Sequence, residues 1–313
     1  MKEWNNPKSY TQSTITNSND FICVQRITRP KDYIIIVASA LMTTKDKIGK
    51  LVKQQRDIIN DNLIGDYEGN AYMFINQGIR AIKKYNDKIK SDRDSVILIV
   101  FEEGYTFNDK KIIEFSAKSK NTSLFFVKNV DELINILNAR KNTCREIQEM
   151  EIYSHGLPGG IEFHYDIAYY YNEHIWIKIM KKDGTLNKTM IDKLDKKIFS
   201  KSARVRSYAC RTGISEWNES FTNSNEAKPE NSLAQYIADK LQVTVEAYEK
   251  RSLYDQTYNV EDEEDEDILI LEREKNDRNN GGPIMSDGAI KPPISGDTPR
   301  GLKDDLQTYF PNN

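Results

Sequence analysis

The chain has 313 residues, enough for one large buried core, and its 45 basic and 48 acidic side chains leave a net charge of −3. That balance lacks the basic face or stripe of a nucleic-acid binder. No apolar run reaches the length of a membrane-spanning helix.

Residues 1–20, rich in Asn, Ser and Thr, read as a loose polar arm. The opening Met1-Lys-Glu-Trp-Asn-Asn-Pro7 has no apolar segment of the signal-peptide kind. The expected location is therefore cytoplasmic on synthesis, with any export by a non-classical route. Tyr33-Ile-Ile-Ile-Val-Ala38 is a continuous apolar run, the pattern of a strand buried on both faces. Helical spacing of apolar residues follows over 45–60 and again over 70–90. Ser95-Val-Ile-Leu-Ile-Val-Phe101 is a second buried strand, closed by Glu102-Glu103-Gly104. A helix over 109–118, a strand over 123–127 and a helix over 129–138 come next.

Two short strands then end in reactive side chains. The first is Glu149-Met-Glu-Ile-Tyr-Ser-His155-Gly156, followed by Leu-Pro-Gly159-Gly160, and the second is Arg204-Val-Arg-Ser-Tyr-Ala-Cys210-Arg-Thr-Gly213. Between them lie an aromatic-rich stretch expected as one or two hairpins (161–180) and a helix over 189–199. Past Cys210 come a polar irregular segment (213–231), a helix over 232–241 and a strand over 243–248. The alternation predicts an α/β fold, a mainly parallel sheet with helices on both faces, plus a hairpin insertion. Residues 21–260 form the expected domain. From Glu261-Asp-Glu-Glu-Asp-Glu-Asp267 the chain turns acidic, and 261–313 reads as an extended C-terminal tail, with an additional strand at 268–271 as its one regular element.

Ligands of open α/β sheets sit outside the carboxyl ends of the strands, which is where His155 and Cys210 fall. An imidazole beside a thiol can generate or stabilise the nucleophilic thiolate. Backbone donors must then meet the oxyanion of the tetrahedral intermediate, and the N–H groups of Gly156 and Cys210 are the candidates. A glycine after the histidine is expected to let the backbone approach substrate closely. No Asp, Asn or Glu stands out as a third member orienting His155, and a carbonyl oxygen could serve, so the expectation is a dyad. Ser154, Tyr208, Glu102 and Glu103 are candidate substrate contacts. The two glutamates would favour a basic P1 residue, although solvated carboxylates are the commoner case.

Ser154-His155-Gly156 with Gly159-Gly160, and Ala209-Cys210-Arg211-Thr212-Gly213 after a strand, resemble the caspase-like (clan CD) cysteine peptidases. These include caspases, metacaspases, gingipain- and clostripain-like enzymes and the cysteine protease domains of large bacterial toxins. The order of His before Cys and the spacing fit the caspase signature. The resemblance implies a three-layer caspase-like sandwich and a cysteine endopeptidase acting on protein or peptide, with no cofactor and no metal in the bond-breaking step, although an ion or small ligand could activate it. It departs from animal caspases in having Tyr208 where they carry Gln and Thr212 where they carry Gly. The bacterial toxin and effector branch is accordingly the nearer one.

Competing readings attach to each residue. A strand cysteine is usually a small hydrophobe and a single histidine usually structural. Cys23 and Cys144 read as structural. Three scattered cysteines do not make a disulfide framework or a zinc site, so a reducing compartment and a free Cys210 are expected. His164 and His174, in the aromatic stretch with Tyr169-Tyr-Tyr171, read as packing or surface groups. Arg211 reads equally as a clamp on a substrate carboxylate or a brace for the loops. Two other function classes compete: a catalytically inactive scaffold of the same fold, and a nucleotide- or flavin-binding α/β protein. The second is weakened by the lack of a Gly-rich phosphate loop after 37–40 or 100–101.

Overall fold

The two continuous apolar runs form the middle of the molecule. In the computed structural model, which describes residues 29–40, 72–89, 91–164, 183–254, 257 and 284–312, they are strands β1 (Lys31–Val37) and β2 (Ser95–Phe101). They pair in parallel, with Ile34 opposite Ile97 and Ile36 opposite Ile99. The other strands of this sheet are β3 (Ser123–Val127), β4 (Glu146–Tyr153), β8 (Phe199–Ser207), β9 (Thr244–Ala247) and β12 (Gln307–Tyr309). Their order is β12–β9–β8–β4–β1–β2–β3, parallel throughout except for the antiparallel edge strand β12.

From β1 the chain winds outward through β2 to β3, then returns to lay β4 on the other side of β1 and winds outward again through β8 to β9. Right-handed crossovers therefore put the first helices on one face and the later ones on the other. Helix α1 (Met73–Lys88) packs on β1, β2 and β4 and touches α2 (Phe107–Ser119). The chain of contacts α3 (Val130–Asn138), α4 (Lys188–Ile191) and α5 (Leu233–Leu241) forms the opposite layer. Local chemistry sets several helix starts. Thr106 and Asp109 make a reciprocal capping box on α2, and Asn129 and Ser232 cap α3 and α5. The reversal of winding between β1 and β4 is the topological switch point, and His155 lies two residues past the end of β4.

A three-stranded antiparallel sheet, β5 (His155–Leu157), β6 (Gly160–Glu162) and β7 (Thr185–Asn187), stands beyond the end of β4. Pro158-Gly159 turns β5 into β6, with Gly159 at φ +87°, a conformation that suits glycine. A further pair, β10 (Ser252–Leu253) with β11 (Ile294–Ser295), follows β9.

Several expectations are corrected. The helix expected over 189–199 is one α-turn, Lys188–Ile191, and one 3₁₀ turn, Lys196–Ile198. Asp195 caps the second turn and the chain then extends into β8. Residues 284–312, read as an extended tail, fold back on the domain. Met285 donates to Asn76 Oδ1, Ala289 to the Asn76 carbonyl, and Gln307–Tyr309 joins the central sheet. A strand this short carries too few side chains to show a period, so nothing in its sequence separated it from a tail. Cys144 is disulfide-bonded rather than free. The arm 1–20, Cys23, the helix expected over 45–60, residues 165–182 with His174 and Tyr169 to Tyr171, and the 261–271 stretch lie outside the described residues.

Candidate active site

β4 and β8 are neighbours in register, Ile152 opposite Ser207, and the ladder continues one step as Tyr208 N–H donates to the Ile152 carbonyl at 2.9 Å. The two strand ends thus deliver Ser154-His155-Gly156 and Tyr208-Ala209-Cys210 side by side. Both reactive residues stand just beyond the central sheet: β4 stops at Tyr153 and β8 at Ser207. Both are half-buried.

Gly156 has a reason for being glycine that differs from the expected one. A Cβ there would lie 2.6 Å from the Cys210 carbonyl oxygen, 2.8 Å from Ala209 Cβ and 3.0 Å from Cys210 N. The missing side chain lets the histidine loop lie directly on the cysteine backbone. The hairpin also orients its amide. In a two-residue hairpin the closing pair, here Leu157 and Gly160, exchanges the hydrogen bonds. Gly156 is one position further on, so its N–H points away from β6, along the outer edge of the small sheet.

The sulfur is held by Ser252 on β10. The Ser252 backbone N–H donates to Cys210 Sγ at 3.3 Å, and Ser252 Oγ lies 3.4 Å from it. Ser252 Oγ in turn donates to the Tyr208 carbonyl at 2.6 Å. The 248–252 segment is zipped to the cysteine loop by Arg211 N–H to the Lys250 carbonyl and Gly213 N–H to the Tyr248 carbonyl, each 2.9 Å. On its other edge Gly296 donates to the Arg251 carbonyl and Arg251 to the Thr298 carbonyl, both 2.7 Å.

Arg211 is a brace. It is buried, its backbone is left-handed at φ +59°, and its guanidinium donates to Glu219 at 3.0 Å and to the carbonyls of Glu216 and Asn218 at 3.1 Å. Glu219 also receives Arg251, so one carboxylate links the cysteine loop, the 213–231 segment and the β10 approach. Hydrogen bonding from Arg251, with the positive charge of both arginines, holds the Glu219 carboxyl below its usual range.

The candidate substrate contacts are reassigned. Ser154 is buried, and its hydroxyl serves the carbonyls of His155 (2.8 Å) and Glu162 (2.7 Å). Tyr208 is buried and stacks on Tyr153 with centroids 4.9 Å apart at 4°. Both side chains are enclosed within the fold. Glu102 is paired with Lys110 at 2.5 Å. Glu103 lies 2.7 Å from Nδ1 of His164, a buried histidine set against a carboxylate rather than in simple packing. These glutamates close β2, separated from β4 by β1. The residues that sequence reasoning missed are Ser252, Phe74 and Tyr254. Phe74 meets the His155 ring edge-on, centroids 4.8 Å apart at 88°. Among the described residues no group of three or more His, Cys, Asp or Glu is placed to hold a metal ion, and no helix is long and apolar enough to cross a membrane.

No protein-family model, curated protein or solved structure matches the chain.

Proposed function

We propose that the chain is a caspase-like cysteine endopeptidase with Cys210 as nucleophile and His155 as general base and acid. In the first half-reaction His155 takes the thiol proton and the thiolate attacks the scissile carbonyl. A C–S bond forms and the carbonyl π pair moves to oxygen, where the Gly156 and Cys210 N–H groups receive it. Collapse breaks the C–N bond as the imidazolium gives its proton to the leaving amine. Water, deprotonated by His155, then attacks the thioester and releases the acid and the thiol. The observation that carries this reading is the seating of Gly156 on the Cys210 backbone at the ends of two adjacent strands.

The nucleotide-binding alternative loses further ground at the end of β1. There the N–H groups that might cradle phosphate are spent inside the fold: Ala38 on the Tyr153 carbonyl, Ser39 on Phe163 and Ala40 on Glu103. A bacterial toxin or effector setting, with a protein or peptide substrate, remains the context the motifs favour. Profiling a peptide library with the wild type and Cys210→Ala tests the reading. Cleavage by the wild type alone supports it, and equal cleavage by both removes it.

A further inference from the structure

The histidine and cysteine loops are tied together by a residue outside every motif. Tyr254 follows β10 and is buried. Its hydroxyl donates to the Tyr208 carbonyl at 3.1 Å, and its ring packs on Phe74, which packs in turn on His155. Tyr208 stands two residues before Cys210. Tyr254 therefore meets the cysteine loop through its hydroxyl and the histidine through Phe74. The same Tyr208 carbonyl accepts Ser252 Oγ, whose backbone N–H holds the sulfur, so the bridge reaches Sγ through one further side chain.

The rings complete the arrangement. Phe74, in the first turn of α1, meets Tyr254 edge-on with centroids 5.0 Å apart at 87° and His155 edge-on at 4.8 Å and 88°. Perpendicular contacts of this kind are favourable beyond the area they bury, because a positive ring edge meets a negative ring face. Phe74 is almost wholly enclosed, which leaves the imidazole little room to tilt on that side.

We propose that Tyr254 is a positioning residue for the reaction proposed above, its hydroxyl fixing the cysteine loop while its ring, through Phe74, fixes the tilt of His155. The inference rests on the protease reading. Tyr254 touches neither substrate nor the bond being broken; it acts through Tyr208 and Phe74. Burial, with the neighbouring Cys210 as a smaller cause, pushes the phenol well above its ordinary titration range, so the donated hydrogen is present wherever the enzyme would work.

Tyr254→Phe removes the oxygen and keeps the ring. A displacement of about 1 Å between reacting groups can cost on the order of 100-fold in rate. The expected result is a kcat lower by roughly 10- to 100-fold with KM changed by less than about twofold. The pH profile of Cys210 alkylation supplies the second readout. A thiol without its imidazole speeds up by about tenfold or more between pH 7 and pH 9, whereas a paired one changes little. Tyr254→Phe should move the profile toward the unpaired behaviour. Should it fail to fold, Phe74→Leu tests the other arm, from the Tyr254 ring to His155, and is expected to lower kcat with KM nearly unchanged; a wild-type kcat there overturns the inference. A variant with lowered melting temperature but wild-type kcat and an unchanged pH profile makes Tyr254 merely structural and overturns the inference alone. A wild type whose Cys210 alkylates no faster than in His155→Ala overturns the protease reading and the inference with it.

Discussion

The two halves of the central sheet are built on opposite principles. On one side of the switch point β1 and β2 bury Ile34, Ile35, Ile36 and Val37 against Ile97, Leu98, Ile99 and Val100, apolar above and below. On the other side β4, β8 and β9 turn Glu149, Glu151, Arg206 and Glu246 toward the α1 face. There Arg206 binds Glu149 at 3.1 Å, Glu151 at 3.0 Å and Glu246, and Lys84 reaches Glu151 at 2.5 Å. The apolar half is a foundation. The charged half ends in His155 and Cys210, and its interlocked ion pairs hold the relative height of the two strands that deliver them. A fixed register between those strands matters more to the proposed chemistry than the depth of the core beneath it.

The contrast can be broken from either side, and the largest expected effect is catalytic. Gly156→Ala should abolish most peptide hydrolysis, on the order of 100-fold, because the new Cβ meets the Cys210 carbonyl and forces the loops apart. Its melting temperature should fall only modestly. A variant with wild-type turnover would show that the close seating is incidental. Next comes the foundation. Ile36→Ala or Ile99→Ala, both fully buried, should cost about 2–5 kcal/mol in urea unfolding, with the remaining folded protein still active.

Glu151→Gln should cost about 2–3 kcal/mol, below the full value for a buried pair because Lys84 is partly exposed. It should also reduce turnover, which the apolar substitutions do not. Although burial opposes it, Lys84, Tyr153 and Arg206 together keep the Glu151 carboxyl below the usual carboxylate range. Its contribution is therefore full above the unfolded value, about pH 4.3, and is lost as pH falls through the lower folded value. Unfolding curves between pH 5 and pH 2 should show acid destabilisation that is smaller in the Gln variant; parallel curves would exclude Glu151 as a source. The smallest effect is expected for Glu219→Gln. This carboxylate is exposed, so stability should move by less than about 1 kcal/mol. Only kcat should respond, through the freed Arg211.

The same contrast decides what could be read in advance. Ser95–Phe101 was legible to the residue, and Tyr33-Ile-Ile-Ile-Val nearly so, because strands buried on both faces leave continuous apolar runs. Helices α1 and α3 were legible from their apolar stripes, and α2 and α5 were expected near their observed bounds. At the site, His155 and Cys210 stood out because reactive residues after strands, flanked by glycine, leave a local pattern, and the structure brings their two loops into contact. Their supports leave none. Ser154 and Tyr208 lie inside the motifs yet are structural, since proximity in sequence does not tell a buried hydroxyl from a ligand-facing one. Tyr254, Ser252 and Phe74 act through backbone groups and ring edges more than 40 positions away, contacts that no periodicity encodes. The edge strand Gln307–Tyr309 escaped for a related reason: its partner, β9, not its own composition, makes it a strand.

The central claim is that imidazole and thiol work as a pair. Its most direct test is the rate at which iodoacetamide labels Cys210 at pH 7, located by peptide mapping, in the wild type and in His155→Ala. The account predicts labelling at least about tenfold faster in the wild type. Equal rates in the two proteins, both as slow as an ordinary free thiol, would contradict it.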